Sequence, residues 1–189
     1  MLNALLVENK LDNTLLERAL QTTCARTLKT EYGPLSLALV KEFNPDLIVF
    51  NLDTPSEQLI SDLHKLNQRF TCPIILFVHE ASANMIDQVI QTDISAFIVG
   101  EIITQRLNSI ITIAIARFKQ TQALRTALEE ARNQLEDRKQ IDRAKAILIK
   151  TQKFTEDEAY HTLRKLAMDR NITLGKMAKQ VIDMAALLK

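Results

Sequence analysis

Short apolar runs alternate with longer amphipathic stretches through the first half of the chain. The runs are Ala4–Val7, Ala25–Lys29, Leu47–Phe50, Ile74–Val78 and Ala96–Val99. Continuous aliphatic and β-branched runs of this length suit strands that are covered on both faces. Between them, apolar residues recur three or four positions apart: Leu11, Leu15, Leu16, Ala19 and Leu20; Leu59, Leu63 and Leu66; Met85, Ile86, Val89 and Ile90. That spacing places a stripe on one side of a helix. Repeated βα units predict an α/β fold, a doubly wound parallel sheet whose functional crevice lies at the carboxyl ends of its strands.

From Thr104 the texture changes to uninterrupted helix, with neither Gly nor Pro before Gly175. A seven-residue register runs through Leu107, Ala114, Thr121, Leu128 and Leu135, accompanied by Ile110, Arg117, Leu124, Ala131 and Arg138. The register predicts a short two-stranded coiled coil, and hence a homodimer held at Leu124, Leu128 and Leu135, with a seam that starts near the end of the sheet domain. After about Ile141 the apolar spacing tightens into three short helices. Thr155 followed by Glu158 forms a capping box that starts the second of them. Asn171 and Thr173 mark a stop and restart before Leu174, Met177, Ala178, Val181 and Ile182. The expected organisation is a sheet domain over 1–119, a coiled-coil linker helix over 120–140 and a C-terminal three-helix domain over 141–189.

Composition narrows the class. Three glycines and four prolines in 189 residues leave little material for hairpin turns, which excludes an all-β sandwich or barrel. The net charge of +1 hides a gradient: residues 1–120 sum to −3, 121–140 to zero and 141–189 to +4. A basic C-terminal segment suits a polyanion, and it also suits a merely solvated face. The apolar run around Ala4–Val7 is too short for a signal-peptide core and no stretch approaches a membrane span, so a cytoplasmic protein is expected. Cys24 and Cys72 sit in apolar surroundings and read as buried free thiols.

The strand ends are poorly equipped for catalysis. They carry Glu8 and Asn9, then Asn51, Asp53 and Pro55, then Val78 and His79, then Gly100 and Glu101. The glycines are too dispersed for a phosphate-cradling loop, and no Ser or Cys nucleophile has a recognisable frame. His64, His79 and His161 lack partners at metal-ligand spacing and read as surface residues, while Glu158 with His161 is half of a di-iron pattern whose other half is missing. No enzymatic activity, metal or cofactor is expected.

The strand-end arrangement resembles the receiver domain of two-component response regulators. In that family an aspartate after the third strand accepts a phosphoryl group, with Mg²⁺ held by acidic residues after the first strand. Here Asn51 stands at the acceptor position, Asn9 at an acidic metal-ligand position, Val78 at the hydroxyl position and Gly100 at the lysine position; Glu8 alone is kept. A carboxamide is a poor nucleophile and offers Mg²⁺ no charge. The resemblance therefore implies a receiver fold with a degenerate pocket, a pseudo-receiver. Asp53 is a second carboxylate for such a pocket, or a solvated turn residue before Pro55.

The segment from Arg138 onward carries a more specific resemblance. Ile141, the Ala144–Lys145 pair, the aliphatic run Ile147–Ile149, the triplet Glu158–Ala159–Tyr160 and the pair Ala167–Met168 match the ANTAR domain, the RNA-binding module of AmiR and NasR type antitermination regulators. Ala146 departs from a usual glycine. Ser95–Val99, Gln105–Leu107, Ala116–Phe118 and Gln122–Arg125 extend the similarity toward the NasT type of nitrate-assimilation regulator. The resemblance implies transcription antitermination through stem-loops of an mRNA leader, a homodimer, and control by a ligand-sensing repressor protein rather than by phosphorylation. It suggests RNA contacts at Arg143, Lys145, Lys150, Arg164, Lys165, Arg170, Lys176 and Lys179, with Lys145 foremost and Lys153 nearby. Tyr160 suits a base-stacking position and a core position equally. A DNA-binding response regulator and an interaction scaffold without nucleic acid are the alternatives.

Overall fold

A computed structural model describes residues 2–9 and 15–187. Leu11, expected on the first helix, lies outside them. Five strands, β1 (Asn3–Glu8), β2 (Arg26–Glu31), β3 (Leu47–Leu52), β4 (Ile74–Val78) and β5 (Ala96–Val99), form one sheet in the order β2-β1-β3-β4-β5. All neighbours are parallel. The helices are α1 (Leu15–Thr23), α2 (Pro34–Phe43), α3 (Glu57–Arg69), α4 (Ala83–Ile90), α5 (Leu107–Gln152), α6 (Glu156–Asp169) and α7 (Leu174–Leu187), with a 3₁₀ turn at Thr104–Arg106 before α5. Ser56 and Ser82 start α3 and α4 by accepting from the amides of Leu59 and Met85.

The alternation along each strand sorts the sheet into two dry faces. Leu5, Val7, Ile48, Phe50, Ile74 and Leu76 meet Val40 of α2, Leu59, Leu63 and Leu66 of α3, and Val89 of α4. Ala4, Leu6, Leu47, Val49, Ile75 and Phe77 meet Leu16 and Leu20 of α1 and Leu107, Ile111 and Ala114 of α5. Helices thus cover both faces, and this is the doubly wound architecture. Cys24 and Cys72 are buried free thiols. Burial, with a smaller effect of Asp46, pushes both thiols up, Cys72 to about 11.

Two compact units divide the chain, Met1–Gln122 and Ala123–Lys189. The second has its own core of Ala144, Leu163, Ala167, Met177, Ala178 and Val181, with Ile141, Leu148 and Ile182 packed against it. Two sequence expectations change here. The first of the three short C-terminal helices is not a separate element: it is the last part of the 46-residue α5, because no glycine, proline or cap interrupts the chain before Lys153, whose φ of 59° ends the helix. The heptad positions Leu107 and Ala114 do not line an exposed seam, since both are consumed by the core under the sheet. Residues 123–139 of α5 are all exposed, Leu124, Leu128 and Leu135 among them.

Candidate functional site

Parallel register carries Glu8, Asn51 and Val78 to the same end of the sheet: Glu8 lies opposite Asn51, and Leu52 opposite Val78. Glu8 is buried, and the polar atoms around it are donors. Asn51 donates from Nδ2 to Oε1 of Glu8 at 2.6 Å. Lys29, whose strand position lies opposite Leu6, reaches along the sheet and sets Nζ 2.9 Å from Oε2 of Glu8 and 3.7 Å from Glu17 of α1. An ammonium group therefore neutralises the carboxylate that the receiver resemblance assigns to a divalent cation. Asn9 donates to Oδ2 of Asp53 at 2.9 Å, so Asp53 meets Asn9 and is exposed in the turn. The Asp53 carbonyl accepts from the amides of His79 and Glu80. Val78 is buried, and its carbonyl accepts from the amide of Gly100, whose φ is +107°.

This donor set does not fit Mg²⁺. A hard cation needs oxygen ligands, preferably anionic ones, and the nearest groups to Glu8 are an amide N–H and an ammonium. Among the described residues no three acidic, His or Cys side chains group as metal ligands. His64, His79 and His161 are all exposed. Lys29 escapes a reading of the sequence because it ends an apolar run and resembles a strand-edge lysine. Its signal is indirect: position 29 is on the same face as Leu6 and Glu8, so a long cationic chain there reaches the buried carboxylate.

The second unit gathers the cations. Arg143 and Lys150 are seven residues apart on one side of α5, Arg164 and Lys165 lie on α6, and Lys176 and Lys179 on α7; all six are exposed. Among the described residues none of these six forms an ion pair. Arg170 is also exposed and donates to Oε1 of Gln180 at 3.2 Å. Lys153 is exposed at the end of α5.

Lys145 differs from the others. Its Nζ lies 2.9 Å from Oδ1 of Asp142 and 2.9 Å from Oε1 of Glu156, and its side chain is only 17% exposed. These bonds, first to Glu156 and then to Asp142, hold its ammonium above the usual lysine range, and the Asp142 carboxyl correspondingly below its own. Lys145 ties α5 to the first turn of α6. The capping box begins that turn: Glu158 donates its amide to Thr155 Oγ1 at 3.3 Å and accepts from the Thr155 amide at 2.8 Å and hydroxyl at 2.9 Å. Asn171, at φ 52°, ends α6, and Thr173 Oγ1 accepts from the Lys176 amide to start α7.

Tyr160 is at the surface, 39% exposed, with its ring edge-on to His161 at 6.1 Å. The core position beside it belongs to Ala159.

Comparison with known proteins agrees with both units. The ANTAR domain family matches residues 129–182. The transcriptional regulatory protein PdtaR of Mycobacterium tuberculosis is 24% identical over 151 residues, spanning 80% of this chain and 74% of that protein. The nitrate regulatory protein of Klebsiella oxytoca is 36% identical over 66 residues, 35% of this chain and 17% of that protein. Among solved structures, the signal receiver domain of a modulated diguanylate cyclase from Desulfovibrio desulfuricans superposes with a TM-score of 0.55 at 15% identity, covering 64% of this chain and 98% of that one. A CheY-like receiver domain from Methanospirillum hungatei gives 0.53 at 16% identity, covering 63% and 97%. At such identities the structural likeness concerns the fold. No helix among the described residues is long and apolar enough to cross a membrane. Residues 129–182 thus carry an ANTAR domain, preceded by a domain with the receiver fold.

Proposed function

We propose that this regulator binds stem-loops in the leader of a nascent mRNA through its ANTAR domain, as a homodimer, and stabilises an antiterminator against the competing terminator hairpin. The observation that carries the reading is the set of exposed cations on the ANTAR segment. Arg143, Lys150, Arg164, Lys165, Lys176 and Lys179 have no carboxylate partner among the described residues, so each can neutralise a phosphate without first breaking an ion pair. Arg170 joins this set at the cost of one neutral hydrogen bond. Lys145 supports it differently, by fixing α6 relative to α5. The setting is the cytoplasm, where transcripts are made, and the likeness to a nitrate regulatory protein favours nitrogen-assimilation genes as the target.

Control belongs to a partner protein, such as a ligand-sensing repressor, rather than to phosphorylation. The support for this is the Lys29–Glu8–Asn51 arrangement, which places a fixed cation and an amide where phosphotransfer needs Mg²⁺ and a carboxylate nucleophile.

The test compares retention of a synthetic two-hairpin RNA and a duplex DNA of equal length by the full chain at one salt concentration. Preferential RNA retention is expected, with log affinity falling steeply against log salt and less steeply for Arg164→Ala or Lys176→Ala, by somewhat under one unit per lost contact. Equal retention of both nucleic acids, or of neither, overturns the reading.

A further inference from the structure

Two residues of the ANTAR pattern are left unexplained by packing. The pattern pairs Ala159 with Tyr160 and Ala167 with Met168. In each pair the alanine is buried, at 0% and 4%, and its neighbour is exposed, Tyr160 at 39% and Met168 at 70%. Ala167 belongs to the core of this unit and Ala159 is buried beside it, whereas the tyrosine and methionine are exposed. Arg164 stands midway between them, so Tyr160, Arg164 and Met168 follow one another at four-residue spacing along one side of the helix.

We propose that this stripe is a stacking platform for an unpaired nucleobase of an RNA loop, with Arg164 also serving a phosphate contact. The proposal rests on the RNA-binding reading and deepens it. A phenol, a guanidinium plane and a thioether are side chains that lie flat against a base: aromatic and arginine groups stack on any π-face, and a polarizable sulfur adapts to the ring edge. His161 touches the Tyr160 ring edge-on, with an interplanar angle of 67°, and so braces the ring rather than stacking on its face. Charge favours RNA over an apolar protein surface as occupant. Arg164 and Lys165 add positive charge beside the stripe, and two of the three carboxylates in the first turn of α6 are already engaged, Glu156 with Lys145 and Glu158 with the Thr155 cap. Asp157 remains as the exposed carboxylate at that end.

Stacking and phosphate contact differ in their salt dependence, and the experiment uses that difference. The probe is a synthetic two-hairpin RNA selected from a pool with randomised loops, together with the same RNA rebuilt with abasic loop positions. With the full chain, Tyr160→Ala and Met168→Ala are expected to weaken binding of the intact RNA, Tyr160→Ala by about tenfold or more, with the slope of log affinity against log salt unchanged. Arg164→Ala should weaken binding and flatten the slope. Tyr160→Phe should bind as the parent does, which separates the ring from the hydroxyl. The abasic RNA should bind the parent more weakly, and Tyr160→Ala should then cost nothing further. Unchanged affinity of Tyr160→Ala beside a weakened Lys176→Ala overturns the platform while leaving RNA binding standing. Failure of the parent to bind any member of the pool overturns both readings. A Tyr160→Ala variant that loses its dimer in sedimentation reassigns the stripe to a protein interface and overturns the platform as well.

Discussion

The ammonium of Lys29 lies 2.9 Å from Oε2 of Glu8, and Asn51 donates to the other carboxylate oxygen. The buried acid that survives from the receiver pattern thus has its charge paired from within the chain. An acetyl phosphate and Mg²⁺ treatment should leave the intact mass unchanged, and Asn51→Asp alone should not restore labelling, because Lys29 and Asn9 remain where metal ligands would be needed. A stable gain of one phosphoryl group by the parent chain would show that the pocket is still chemically competent.

Removing the cation tests the same relationship through stability. Lys29→Met leaves Glu8 buried without its counter-charge, and breaking a buried pair from one side costs about 3 kcal/mol or more. Thermal unfolding should report a large loss for this variant. A smaller loss is expected for Lys29→Met combined with Glu8→Gln, since no uncompensated charge then remains.

The sheet was legible because most of its strands are apolar runs: β4 and β5 coincide with theirs, β1 and β3 extend theirs by one or two residues, and the more polar β2 begins one residue after its run and ends two beyond it. Capping was legible for a similar reason. Thr155, Glu158, Asn171 and Thr173 act through backbone groups within a few residues of themselves. Contacts between distant segments were not legible. Lys29 with Glu8, and Lys145 with Glu156, pair side chains whose meeting depends on strand register and helix packing, so periodicity does not reveal them. The heptad register failed locally at Leu107 and Ala114 because the period of a coiled-coil seam and that of a core-facing helix are nearly the same over two turns.

Dimerisation should depend on Leu124, Leu128 and Leu135, which are 65%, 53% and 60% exposed in the single chain and recur at coiled-coil spacing. Burying one leucine contributes roughly 1.5 to 3 kcal/mol, and a two-fold interface uses each residue twice. Sedimentation of Leu128→Lys with Leu135→Lys should show monomer. An unchanged dimer would move the interface to another surface.

Acid should loosen the start of α6. The Glu158 carboxyl is held below the usual carboxylate range by the Thr155 amide first and the Thr155 hydroxyl second. A carboxyl whose folded value is the lower one stabilises the fold above its unfolded pKa, about 4.3, and that contribution is lost as pH falls through the folded value. A carbon-13 titration should therefore place the Glu158 midpoint below that of a model peptide. Thr155→Val should raise it, and Glu158→Gln should flatten the acid limb of the helicity profile.

Gly175 in the first turn of α7 presents a case in which helix propensity and packing oppose each other. Alanine in place of a helical glycine gains about 1 kcal/mol from propensity. A Cβ built at Gly175, however, falls within the Asp137 carboxylate of α5, meeting both its oxygens and Cγ. Asp137 has a short side chain, so the clash reaches an atom one bond from its own Cβ and a rotation of the carboxylate plane does not relieve it. Forcing the rotamer or the helix spacing to change costs typically 1 to 3 kcal/mol, which outweighs the propensity gain. Gly175→Ala should therefore destabilise the ANTAR unit. In the Asp137→Ala background the obstruction is gone, and the same substitution should stabilise instead. A double-mutant cycle measured by thermal unfolding checks the reversal of sign. If Gly175→Ala stabilises the chain with Asp137 intact, the carboxylate swings aside at little cost, and the glycine is not required by this contact.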